Sequence, residues 1–118
     1  MAQDYKELGA WQKGIDLVTD IYRATAKLPK DELYGLTSQL RRASVSVPSN
    51  IAEGQARFSK PDFRHFLRQA RGSVAEVETQ IVISKNLGFV DEASSSSLLH
   101  KAAEPGRILN GLIRSINC

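Results

Sequence analysis

Cysteine is nearly absent from this chain: Cys118 is the only one, and it is the last of 118 residues. A lone cysteine makes no intrachain disulfide and no thiolate cluster, so the fold must hold without covalent or zinc staples, and a reducing compartment is expected. Long apolar runs are missing too. No stretch nears the roughly 20 apolar residues of a membrane span. The opening MAQDYKELGAW carries Asp4 and Glu7 and no apolar run, which reads against a signal peptide. We therefore expect a cytoplasmic protein that does not touch a membrane. Histidine is limited to His65 and His100, neither near a cysteine. His100 and Glu104 stand four apart, but two ligands do not make a metal site. The paired Glu-x-x-His motifs of a di-iron bundle, Gly-rich phosphate loops and a Gly-x-Ser-x-Gly elbow are all missing. We expect no enzyme, no metal and no cofactor.

What is present is helical periodicity. The apolar and charged fractions, 42% and 25%, are those of an ordinary globular domain, and residues 1–118 fit one domain by size. Leu8, Trp11, Ile15, Val18, Tyr22 and Thr25 alternate spacings of three and four, which predicts a helix over about 7–28. Leu17, Ile21, Ala24 and Leu28 widen its apolar side, and Pro29 stops it. Leu36, Leu40, Ala43, Val47 and Ile51 predict a second helix over about 36–54, with Asp31 and Glu32 ahead of it, an N-cap at Thr37 or Ser38, a kink at Pro48 and a stop at Gly54. Ser44, Ser46, Ser49 and Asn50 surround that proline and are read as satisfying carbonyls that it frees. Ser59, Pro61 and Asp62 form a helix start, and Phe63, Leu67, Ala70, Val74, Val77 and Ile81 carry a third helix over about 60–87. Gly72 in mid-helix suggests the close approach of another backbone. A fourth helix over about 92–116 begins weakly at Ser94–Ser97 and is expected to bend or break at Pro105 and Gly106. Four helices with short connections imply an all-α, antiparallel up-down-up-down bundle.

Two features go beyond a bundle core. On the second helix, Arg41, Val45, Pro48 and Ala52 form another semi-apolar stripe, roughly 120° from the first. They are either scattered surface residues or a contact with another subunit. Charge is also uneven. The net of +3 hides a central segment, residues 41–71, with seven cations and two acids. These cations are Arg41, Arg42, Arg57, Lys60, Arg64, Arg68 and Arg71. They mark either a phosphate-binding surface or a solvated face whose Arg stems cover the core edge.

The run YGLTSQLRRASVSVPSNIAEG, residues 34–54, closely resembles the signature of the four-helix bundle proteins encoded in intervening sequences of bacterial 23S ribosomal RNA genes. FRHFLRQARGSVAEVETQI at 63–81, LNGLIRSI at 109–116, Trp11-Gln12-Lys13 and Asp16-Leu17-Val18 extend the resemblance over nearly the whole chain. Ser94–Ser97 and Pro105-Gly106 depart from the family's usual helix formers. The resemblance implies a ring-like homopentamer, a kinship with the accessory variability determinant of diversity-generating retroelements, and no catalytic set. It raises two functions. One is RNA or other nucleic-acid binding through the seven cations, with Arg41, Val45, Pro48 and Ala52 at the subunit contact. The other is a homo-oligomeric scaffold that docks a protein such as a reverse transcriptase without touching RNA.

Overall fold

The periodicity resolves into four α-helices: α1 (Gly9–Thr25), α2 (Ser38–Ala56), α3 (Lys60–Asn86) and α4 (Glu92–Ser115). The structure, a computed structural model, describes residues 4–116; Cys118 lies outside them. No strand occurs among the described residues. The 27 residues of α3 span about 40 Å at the α-helical rise. That nearly accounts for the 47 Å long axis of a body 23 by 20 Å across, so the helices lie lengthwise. α1 packs on α2 and α4, and α3 packs on α2 and α4, closing a cycle around one core. The α1–α2 seam is therefore on the opposite side of the bundle from the α3–α4 seam.

The core faces of α2 and α3 are those that the spacing predicts. Leu40, Ala43, Val47 and Ile51 meet Leu67, Ala70, Val74, Val77 and Ile81, all buried. At about 1.5–3 kcal/mol for each fully buried aliphatic side chain, this pairing is a major source of stability. α1 differs from expectation. Its buried line is Ala10, Gly14, Leu17, Ile21 and Thr25, while Ile15 and Tyr22 of the expected main stripe are exposed. The cause is steric. A Cβ on Gly14 would stand 3.3 Å from Val47 Cγ1 and 3.4 Å from Pro48 Cδ, so α1 approaches α2 along its small residues and its larger ones turn outward.

The helix ends correct several expectations. Thr37 stands at the N-cap of α2, but its side chain accepts no capping hydrogen bond. A turn of π-helix, Leu33–Thr37, precedes it, and Glu32 Oε1 accepts the Leu36 N–H at 3.1 Å. That carboxylate lies where a Cβ on Gly35 would be, at 2.8 Å, so glycine is what allows the capping turn. α2 runs past Gly54 to Ala56. Gly54 is instead a crossing point, where a Cβ would fall 2.7 Å from Phe66 Cβ. Gly72 faces open space, so no backbone approaches it. α4 runs unbroken through Pro105 and Gly106, both buried. Leu98 and Ala102 before the proline and Leu109 after it are all in the core, and this packing outweighs the proline's local preference. The serine run is a firm start. Asp91 Oδ1 accepts the Ser94 N–H at 2.7 Å, and buried Ser95 donates to Glu92 O at 3.2 Å. The Ser94 N–H, then its hydroxyl, hold the Asp91 carboxyl below the usual carboxylate value of 3.8.

Candidate functional site

The seven central cations do not form one patch. Arg41 belongs to α1: its Nε donates to Thr25 Oγ1 at 2.9 Å and its guanidinium lies 4.6 Å over the Tyr22 ring. Arg57 pairs with Glu53 at 2.8 Å and stacks over Phe66 at 5.0 Å. Arg64 and Arg71 reach across to α4. Arg64 Nε donates to Ile113 O at 3.3 Å, one of the carbonyls left open at a helix C-terminus. Arg71 Nε donates to Asn110 Oδ1 at 3.0 Å. Its Nη1 is buried, and Glu78 at 4.0 Å is too far to accept a hydrogen bond from it. Arg42, Lys60 and Arg68 are exposed and have no hydrogen bond or ion pair among the described residues.

Two cations outside the central segment complete a belt. The Arg64 and Arg71 contacts place the second half of α4 beside the first half of α3. Arg107 and Arg114, both exposed, lie on the same α4 face as Asn110 by helical spacing. Lys60, Arg64, Arg68, Arg71, Arg107 and Arg114 thus gather over residues 60–71 and 106–116, where Asp62 is the one acid. A count along the sequence misses this, because Arg107 and Arg114 sit in a segment whose net charge is negative. The signal was the shared helical face.

The other side of the bundle is apolar. A groove between α1 and α2 is lined by Trp11, Ile15, Val18, Val45, Pro48 and Ala52. Ile15 is 38% exposed, Val45 39% and Tyr22 43%. Three of the four expected contact residues, Val45, Pro48 and Ala52, line this groove; Arg41 lies in the next one, beside Tyr22, Tyr34 and Val45. Pro48 is itself buried against Gly14 and forms the floor of the groove. The α1–α4 seam, by contrast, carries ion pairs, Lys13–Glu104 at 3.3 Å and Lys101–Asp20 at 3.0 Å.

The polar residues around Pro48 are used inside the bundle. Asn50 Nδ2 donates to Ser46 O and Ser46 Oγ, each at 2.8 Å, and Ser46 Oγ bonds Ser73 Oγ of α3 at 2.8 Å. Ser44 Oγ donates to Arg41 O. The SVPSNIAEG run is therefore a junction. Val47 and Pro48 meet α1, Ser46 and Gly54 meet α3, and Ile51 fills the core. No cluster of three metal-ligating side chains occurs among the described residues, and none of their helices is long and apolar enough to cross a membrane.

Comparison with known proteins agrees with this architecture. A crystal structure at 1.70 Å of a protein of unknown function from the S23 ribosomal protein family, from Bacteroides thetaiotaomicron, superposes with a TM-score of 0.80. The match covers 89% of this chain and 98% of that one at 18% identity, a likeness of fold. No curated protein matches significantly in sequence. The sequence pattern of the 23S rRNA-intervening sequence proteins matches residues 6–111. The chain, a four-helix bundle with its signature at the helix junction, belongs to the 23S rRNA-intervening sequence protein family.

Proposed function

We propose that this protein is a non-enzymatic, cytoplasmic module that assembles with copies of itself through the α1–α2 face and holds RNA, or another nucleic acid, on the α3–α4 face. The observation that carries this reading is the belt of six cations over residues 60–71 and 106–116, where Asp62 is the one acid and Glu78 lies 4.0 Å from Arg71. Arg64 and Arg71 are positioned by α4, while Lys60, Arg68, Arg107 and Arg114 extend into solvent. Cations in this arrangement bind phosphates in register without reading bases, and displace counterions as they do so. In this reading the helices alternate up-down-up-down, α2 bends at Pro48, and the copies close into a ring of five, the α1–α2 face of each meeting a different surface of the next. The cyclic packing and short connections support the helix order. The outward apolar line of α1 supports a subunit contact. A ring would repeat the belt and add avidity.

The test uses Arg68→Ala/Arg107→Ala, because neither side chain has a hydrogen bond or ion pair among the described residues. Helicity and molecular mass should be unchanged. Affinity for an RNA hairpin should fall, and the slope of log affinity against log salt should shrink by about one per lost phosphate contact. Equal affinity with an equal slope overturns the reading. One observation favours a scaffold that docks a protein such as a reverse transcriptase: Arg41, Arg57, Arg64 and Arg71 are already engaged within the chain. A purified assembly without excess absorbance at 260 nm, and with no affinity for added RNA, would select it.

A further inference from the structure

Phe58 is out of place by two measures. It lies in the turn between α2 and α3 with φ at 53°, the left-handed region where glycine or asparagine usually ends a helix. It is also 79% exposed. A bulky aromatic there is strained by its backbone and gains almost nothing from packing. Such an outlier is better explained by what it contacts outside the chain. Its surroundings indicate the kind of contact. Arg57 precedes it, exposed, paired with Glu53 and stacked over Phe66; Lys60 opens α3, exposed and without an ion pair among the described residues; Arg64 follows one turn later on the belt. An exposed aromatic among cations has the composition of a surface for single strands, in which the ring stacks on an unpaired base and the cations hold the flanking phosphates.

We propose that Phe58 is a base-stacking residue, and that the α2–α3 turn receives an unpaired base of single-stranded RNA whose phosphates run onto Lys60 and the α3–α4 belt. This rests on the nucleic-acid reading above and adds a substrate class: loops, bulges and single strands over continuous duplex. A second copy packed face to face on this turn is a poorer occupant, since an isologous contact would bring the same cations against these.

The experiment is binding by fluorescence anisotropy with the full chain, using a short labelled single-stranded RNA and the same strand annealed to its complement. Phe58→Gly relieves the left-handed strain and should raise Tm, yet weaken single-strand binding by about tenfold. Duplex binding should not change. Phe58→Trp should restore the single-strand affinity, with indole fluorescence quenched on binding beyond any change of Trp11 in the wild type. If Phe58→Gly binds the single strand like wild type while Arg68→Ala/Arg107→Ala has lost it, stacking is wrong and the nucleic-acid reading stands. If wild type binds neither RNA, both fall. If Phe58→Gly lowers the mass of the assembly by light scattering, Phe58 is a subunit contact and the proposal is overturned.

Discussion

The α1–α2 and α3–α4 seams lie on opposite sides of one core and are closed by different means. At α1–α2 the closing element is a missing side chain. Gly14 lets Val47 and Pro48 come within van der Waals distance of α1, and the larger apolar residues Ile15 and Tyr22 are turned toward solvent. At α3–α4 two arginines cross the gap and bond a carbonyl and an amide on the facing helix. One side is left with apolar surface that water does not solvate well, the other with more cations than nearby acids. The difference teaches that a bundle's core can be satisfied twice over while each outer face still lacks something specific: an apolar cover on one side, anionic groups on the other.

The largest expected effect tests the apolar side. Val45 is 39% exposed in the single chain, so Val45→Asp should cost the fold little. A carboxylate buried in a subunit contact is costly. The variant should therefore run as a 13.0 kDa monomer with its helicity intact, by light scattering and circular dichroism. An assembly of unchanged mass would mean that the outward stripe of α1 and α2 is only exposed surface, and the contrast between the seams would lose its apolar half.

The next effect is on stability and tests why the seam is apolar at all. Gly14→Leu must push Val47 and Pro48 away, at about 1–3 kcal/mol for an overpacked site. Gly72→Ala adds its methyl to open space on α3 and should instead stabilise by about 1 kcal/mol. Denaturant titration of both variants checks the opposite signs. Equal shifts would show that Gly14 is no closer to its neighbours than Gly72.

These glycines also show what was legible in the sequence. The four helices and the core faces of α2 and α3 were legible because large aliphatic residues recur there at helical spacing. The core face of α1 was not, because Ala10 and Gly14 contribute little to an apolar pattern, and closeness of approach is a property of two helices. The proline in α4 misled for the same reason: packing of residues on both sides of Pro105 holds the helix, and no local rule weighs that. Of the candidate site, the cations were legible as a count. Their division into engaged Arg41, Arg57, Arg64 and Arg71 and solvent-exposed Arg42, Lys60 and Arg68 was not, nor was the addition of Arg107 and Arg114 from a distant segment. Phe58 had no signal, since its oddity lies in a backbone angle.

The smallest effect separates the two sides by pH. The α1–α2 seam contains no titrating contact at Gly14, so the penalty of Gly14→Leu should be the same in neutral and acid solution. At the head of α4, Asp91 accepts from the Ser94 N–H and hydroxyl, which favours the charged carboxylate and lowers its pKa from 3.8. A depressed carboxylate contributes stability that is fully present above its unfolded value and is lost as pH falls through the lower folded value. Asp91→Ala should thus lower Tm at neutral pH, through the lost cap and the lost negative charge at a helix N-terminus. The gap to wild type should close as the solution is taken below 3.8. Added salt should narrow it only in part, because screening weakens the interaction with the helix dipole and leaves the hydrogen bond. A gap that stays constant into acid would mean that Asp91 acts through its size alone, and that α4 is held, like α1, by packing and not by charge.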